Sequence, residues 1–422
     1  MQTAESKVAD PSCEDEFDPA LLPVAEALRR VLAQLQPITG KVRLGLRDAL
    51  GRVLSEDIVS PVNVPSHTNS AMDGYAIKSG DIPESGQRKL TLAGTSWAGR
   101  PFEGTVNPGK AVRIMTGAVM PDDTDTVVIQ EQVERTGDEI EIGTGHEVGQ
   151  NVRTPGEDIK QGELILPAGK ALRPTDLGLL ASLGIPEVIV ARKVRVAFFS
   201  TGDELRNVGQ PLGKGQIYDS SRYTLHALLK QLDVEILDMG IVRDEPEAVK
   251  QAFLDATEQA DVLLTTGGVS VGDADFVKET LEAVGQVSFW KIAMKPGRPL
   301  AFGKVKNTWF FGLPGNPVSS TVTFIQFVKP AMYKLMGIDP LPQPKTLKAR
   351  TLKMLKKQPG RMDFQRGILD KDENGEWIVH STGAQGSHIL SSVSKANCFI
   401  VLPLESGNVE AGSWVDVELM DE

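Results

Sequence analysis

The stretch TTGGVSVGDAD, Thr265 to Asp275, sets three glycines, a serine and two acids directly behind an apolar run that follows Asp261 and reads as a buried strand. A strand opening into a glycine-rich turn lets backbone N–H groups approach an anion, because glycine has no Cβ to block the approach and tolerates positive φ. Gly267, Gly268 and Ser270 are therefore expected to face a phosphorylated group. Asp273 and Asp275, at the start of the helix-like FVKETLEAVG, do not suit a site that grips phosphate alone. They suit a divalent cation held between protein and phosphate.

Two more strand ends deliver polar residues. VRVAFFS runs into Ser200, Thr201, Gly202, Asp203 and Glu204, and VEILDMG leads through Gly240 to Arg243 and Asp244. Glu204, Asp244 and Asp275 leaving one edge of one sheet would suit magnesium, which takes one or two carboxylates plus water and phosphate oxygens. Asp244 has an equal reading as a helix cap, forming a capping box with Glu247. Asp203 and Glu204 read alternatively as a solvated turn, and Asp275 as a complement to a helix dipole. Lys291, Lys295 and Arg298 in KIAMKPGRP, with Arg361 and Arg366 in GRMDFQRG, gather positive charge in a chain whose net charge is −11. Lys291 and Lys295 would share a face if their segment stays a strand, and could neutralise an oxyanion; lysines guarding a sheet edge are the plainer reading.

The elements that must hold these residues follow from periodicity. A helix is expected between Pro19 and Leu35, and an irregular β-rich portion from about Val42 to Val190, with a helix starting at Pro174. From Val194 to about Gly337 strands alternate with helices, including Ser220 to Gln231 and one beginning at Asn316 and Pro317. That rhythm predicts a three-layer α/β domain with a mostly parallel sheet and a ligand beyond the carboxyl ends of its strands. After the proline-rich DPLPQPK, short strands suggest a small β-barrel or sandwich.

Composition narrows the class. The 422 residues exceed one core, 41% are hydrophobic, and no apolar run is long enough to span a bilayer. The acidic start is unlike a secretory signal, which makes a cytoplasmic location the expectation. The negative charge argues against nucleic-acid binding. Cys13 and Cys398 lack metal-ligand company, and Cys398 in NCFIVL reads as a packed thiol. The patterns GxxxxGK[ST] and GxGxxG are absent, which disfavours a P-loop ATPase or a dehydrogenase.

Eight ordered motifs, NSAMDGYA, RIMTGA, GEDI, FSTGDEL, TTGGVSVGDAD, MKPGRP, GLPGNPVS and GSH, resemble the bacterial molybdopterin molybdenumtransferase family (MoeA), related to the gephyrin E domain. Arg298 departs from it, standing where lysine is frequent. The resemblance implies a multidomain α/β plus β chain. It would comprise a disordered acidic tail (1–18), a linking domain (19–57 and 157–190) and a β-rich domain (58–156). An α/β domain resembling the molybdopterin adenylyltransferase fold (191–338) and a C-terminal β-barrel (339–422) would follow. It implies a magnesium-dependent transferase that takes adenylylated molybdopterin and molybdate and releases AMP. The implied assembly is a homodimer with a shared active site, working beside molybdopterin adenylyltransferase and other proteins of the pathway. By matching motif it carries over Asp73, Thr116 and Asp158 from the β-rich half, and Glu204, Asp244, Asp275, Pro314 and Pro317 from the α/β domain. Lys291 and Lys295 come from the basic stretch, Arg366 and Ser387 from the C-terminal domain. Glu204, Asp244 and Asp275 would arrange magnesium at the phosphoanhydride. Lys295, Arg366 and Ser387 would bind molybdate or anionic pterin groups, and Asp73 would reach across the dimer. A gephyrin-like scaffold and a tungstate-inserting paralogue are the alternatives.

Overall fold

The computed structural model describes residues 21–268 and 285–420. The acidic tail, Cys13, Ser270, Asp273 and Asp275 lie outside the described residues.

The expected α/β unit is built on a six-stranded sheet in the order Glu235–Val242, Arg195–Thr201, Val262–Thr266, Thr308–Leu313, Pro299–Val305, Gly285–Lys291. The first four strands are parallel and the last two antiparallel. Alternate residues of Arg195–Thr201 supply opposite faces. Val196 and Phe198 join a core with Leu225 and Leu229 of helix Ser220–Gln231. Ala197 and Phe199 pack with Val249, Phe253 and Ala256 of helix Pro246–Gln259. Phe253 meets Phe199 edge-on at 5.7 Å and Phe310 at 5.3 Å. Burying a side chain of that size stabilises the layer by about 2–3 kcal/mol. A sheet buried on both faces explains why its strands read as continuous apolar runs.

The last helix of this unit begins as anticipated, with Asn316 at the cap and Pro317 in the first turn. It runs from Pro317–Thr323 through a π-helical turn, Phe324–Val328, into Lys329–Leu335. Pro330 has no N–H to offer the preceding turn, so the register widens there. Gly337, at φ +79, ends it. Ala27, Val31 and Leu35, from helix Val24–Gln34 and the residue after it, pack into the same core.

The β-rich region holds a six-stranded sheet in the order Thr126–Ile129, Gly74–Ile77, Lys110–Ile114, Arg88–Ser96, Glu139–Ile142, Val133–Thr136. Two short antiparallel pairings, Lys41–Gly45 with Glu187–Ala191 and Ile58–Val59 with Leu164–Leu166, flank it in sequence.

At the C-terminus the sequence left barrel and sandwich open, and the structure is a barrel. Met362–Lys371 pairs with both Trp377–Ser381 and Cys398–Leu402, closing a ring completed by Thr346–Thr351 and Trp414–Leu419. Cys398 is packed inside, where burial pushes its thiol up to about 12. Among the described residues no helix is long and apolar enough to cross a membrane.

Candidate active site

Strand order fixes where this fold can hold a ligand. The chain leaves Arg195–Thr201 for the strand on one side, then crosses back to place Val262–Thr266 on the other. The connections part at that point and leave a crevice beyond the two carboxyl ends. The ends are pinned together. Ser200 and Thr266 share a hydroxyl hydrogen bond of 2.8 Å, and Gly267 N–H donates to Leu313 O at 3.2 Å. Gly267 (φ +85) and Gly268 (φ +66) turn the chain away. A Cβ on Gly267 would fall 2.5 Å from Thr201 O, while one on Gly315 would sit 3.6 Å from the Gly267 Cα. Three strand ends therefore meet at backbone distance, which only glycine at position 267 permits.

Acids rim this meeting point. The Glu204 carboxylate folds back over Gly202, within 2.7 Å of where a Cβ would stand. Thr201 Oγ1 donates to Asp244 Oδ1 at 3.4 Å. Burial, with Asp203 and Glu204 nearby, holds the Asp244 carboxyl above the usual carboxylate range, although the Thr201 bond acts the other way. The capping-box reading of Asp244 does not hold: Glu245 is the residue before the helix, no side chain caps it, and Pro246 occupies the first turn. Proline at that position needs no N–H partner and fixes the start one residue later than anticipated.

The shared face of Lys291 and Lys295 also fails. Their strand ends at Lys291, and Met294–Lys295 forms a separate parallel pairing with Met362 and Asp363 of the barrel. Two other segments break the run through three hydrogen bonds. Leu22 N–H donates to Lys291 O and Ala293 N–H to Leu22 O, while Met362 N–H donates to Ala293 O. Alternation along one strand cannot survive a change of sheet. The result is more useful than the expectation, because Lys295 stands where the α/β unit meets the barrel.

Ser387 approaches the same junction, its carbonyl accepting from Val318 N–H at 3.2 Å, in the first turn after Pro317. Pro314 is buried just ahead of that turn. Arg366 is only 1% exposed. Its guanidinium donates to Ser392 Oγ at 3.1 Å and Gly386 O at 3.3 Å, so it braces the loop that carries Ser387. Burial lowers its pKa to about 10.

Asp73 and Thr116 are brought together on the β-rich sheet. Asp73 Oδ1 accepts from Thr116 N–H at 2.7 Å and from Thr116 Oγ1 at 2.8 Å. The Thr116 backbone and hydroxyl bonds, with Arg113 nearby, hold the Asp73 carboxyl below the usual range. Gly74 makes room, since a Cβ there would strike Val128 O on the adjacent strand. Asp158 is exposed on the neighbouring loop, its N–H donating to Val64 O. Among the described residues, no hydrogen bond or ion pair joins Asp73, Thr116 or Asp158 to the α/β sheet.

Reading the sequence missed Thr201 as the partner of Asp244, and missed Asp363. A buried acid between two arginines in GRMDFQRG was the available signal. Among the described residues no three His, Cys, Asp or Glu side chains are grouped to hold a metal ion. Asp275, the third acid of the expected set, lies outside them.

Comparison with known proteins agrees with this organisation. Residues 22–184 match the family described as MoeA N-terminal region (domain I and II), 197–334 the probable molybdopterin binding domain, and 348–420 the MoeA C-terminal region (domain IV). The molybdopterin molybdenumtransferase of Haemophilus influenzae is 49% identical over 94% of this chain and 98% of its own. Gephyrin of Dictyostelium discoideum is 34% identical over 95% of this chain and 62% of its own. The crystal structure of the molybdopterin biosynthesis moeA protein from Pyrococcus horikoshii OT3 superposes with a TM-score of 0.83 at 31% identity, covering 95% of this chain and 100% of the other. With its three regions matched in order and near-complete coverage at that identity, this chain belongs to the molybdopterin molybdenumtransferase (MoeA) family.

Proposed function

We propose that this enzyme of molybdenum cofactor biosynthesis takes molybdopterin in its adenylylated form, cleaves the phosphoanhydride, releases AMP and leaves molybdenum from molybdate on the dithiolene sulfurs. One observation carries the reading: an acid-rimmed crevice at the switch point of the sheet, in the same α/β unit as a basic stretch that is stitched to the barrel.

The residues fit magnesium. Asp244 is held toward its protonated form by burial and by the negative charge of Asp203 and Glu204. A cation offsets that charge, and magnesium needs only one or two carboxylates while keeping sites for water and phosphate oxygens. Glu204 and Asp244 would hold it, with Asp275 as the third acid. When bound, it would neutralise charge developing on the phosphates. Gly267, Gly268 and Ser270 would leave backbone space for the phosphates, and Pro314 and Pro317 would shape the adjoining wall. Lys291, Lys295 and Ser387 would attract molybdate or the anionic pterin groups, with Arg366 holding the Ser387 loop in place.

Asp73, Thr116 and Asp158 would come from a second subunit. The absence of any hydrogen bond from them to the α/β sheet among the described residues supports this part. Subunit mixing tests it. Asp73→Asn and Glu204→Gln should each abolish molybdate-dependent AMP release. A random mixture of the two would contain heterodimers with one intact site, returning about a quarter of wild-type activity. Mixtures that stay inactive would refute the shared site. Wild-type protein that releases no AMP when molybdate and magnesium are added would refute the activity.

A further inference from the structure

Asp363 is a buried carboxylate that the proposed chemistry does not use. It is the second residue of the long barrel strand, is 5% exposed, and pairs in parallel register with Lys295. Gln365 Nε2 donates to its Oδ2 at 3.0 Å and to Lys356 O at 2.9 Å. Three cations face it from three segments: Lys295 from the adjoining strand, Arg366 from its own strand and Lys357 from the preceding loop. Arg366 and Lys357 are themselves buried. Lys357 is anchored by the carbonyls of Gln358, Leu404 and Ser406, with Glu405 and Arg361 in its field. The cluster thus sets three positive charges around the Asp363 carboxylate, and a dianion arriving beside Lys295 would meet Asp363 as a like charge on the adjoining strand.

We propose that Asp363 is a specificity-determining residue that couples oxyanion binding to proton uptake: the empty cluster uses the Asp363 carboxylate as counter-ion, and an oxyanion at Lys295 replaces it as Asp363 takes a proton from solvent. This rests on the reading of Lys295 as an oxyanion ligand. The balance is simple, with one dianion and one proton entering and no bond between heavy atoms made or broken. Burial already holds the Asp363 carboxyl above the usual range, against the pull of Gln365 and the three cations. The protonated form is therefore within reach once a further negative charge approaches. The sign follows. The proton and the dianion favour each other, so affinity falls as pH rises through that raised pKa, by at most about tenfold per pH unit for one coupled proton.

The experiment is calorimetric titration of the purified full chain with sodium molybdate between about pH 6.5 and 8.5, above the range where molybdate itself is protonated. Wild type should weaken with rising pH. Asp363→Asn, which is isosteric, should show a flat profile and bind more tightly than wild type at the upper end. A flat wild-type profile, or an Asp363→Asn profile with the wild-type slope, would overturn the coupling. Should Asp363→Asn melt early, titrating wild type in buffers of different ionisation heat decides. Proton uptake on binding supports the inference and none overturns it. Lys295→Gln separates the two readings. Wild-type affinity in that variant sinks the oxyanion site itself, whereas weakened binding with an unchanged slope in Asp363→Asn sinks only the coupling.

Discussion

Gly267→Ala tests the crevice at its narrowest point. The added Cβ would lie 2.5 Å from Thr201 O, closer than a carbon and an oxygen can pack, and its obstacle is backbone rather than a side chain that can swing away. The two strands are in parallel register up to Ser200 and Thr266, so their ends must part by most of an ångström. A left-handed φ of +85 adds its own cost for any residue with a Cβ. Taking about 1–2 kcal/mol for the backbone and about 1–3 for overpacking, the substitution should destabilise the α/β unit by roughly 2–5 kcal/mol. Activity should suffer more than stability. Thr201 positions Asp244 and precedes Glu204, and an ångström of misplacement costs on the order of 100-fold in rate. The matched control is Gly315→Ala, whose Cβ would stand at an ordinary 3.6 Å from the Gly267 Cα without a left-handed backbone. It should change stability by less than about 1 kcal/mol and leave turnover within a few-fold. Molybdate-dependent AMP release at saturating substrate and thermal melting of both variants provide the readouts. Gly267→Ala with wild-type turnover and melting would refute the close-approach argument, and equal damage from both variants would show that any added methyl in the loops is enough.

Asp244→Asn should raise the magnesium concentration for half-maximal rate tenfold or more. It should also raise the melting temperature, because the ionised carboxyl is held in the folded state against burial and two neighbouring acids. By the same sign, the magnesium requirement of the wild type should rise on the acid side, as protons compete with the cation for Asp244. Arg366→Met should cost about 2–4 kcal/mol, leaving Gly386 O and Ser392 Oγ without their buried donor. Arg366→Lys should not restore it, since one ammonium cannot reproduce the fork. Cys398 should resist iodoacetamide in the folded chain at pH 8 and react after denaturation, because its thiol is buried and pushed up to about 12.

Where signals were local, the sequence was readable. Helix Ser220–Gln231 and the start at Pro317 follow from periodicity and cap chemistry within a few residues. The three strand ends of the α/β sheet follow from apolar runs that stop at Gly, Ser or Asp. Features decided by distant chain were not readable. The capping box at Asp244 and Glu247 was a valid local pattern, but Pro246 and the hydroxyl of Thr201, 43 residues away, settled otherwise. Alternation placed Lys291 and Lys295 on one face, yet Leu22 and Met362 interrupt the strand from opposite ends of the chain. Closure of the barrel depends on Asp363–Gly367 meeting Cys398–Leu402, a pairing no turn signal announces.

That interruption has a structural consequence for the site. Because the basic stretch leaves the α/β sheet and pairs with Met362 and Asp363, Lys295 cannot move without the barrel, and the barrel cannot move without Lys295. A second tie, Val318 N–H to Ser387 O, also joins the α/β unit to the C-terminal domain. Lys295, Arg366 and Ser387 are therefore set by two independent backbone attachments within one chain. Asp73 and Thr116 have no such tie to the α/β sheet among the described residues; they bond to each other, and Asp73 O accepts from Gln130 N–H within the β-rich region. The oxyanion side of the proposed site should thus be preformed in a lone subunit, while the Asp73 side should depend on assembly. On the shared-site proposal, dilution that separates the subunits ought to abolish AMP release before it weakens molybdate binding. Loss of both at the same protein concentration would mean that the two halves are not separable in the way the backbone attachments require.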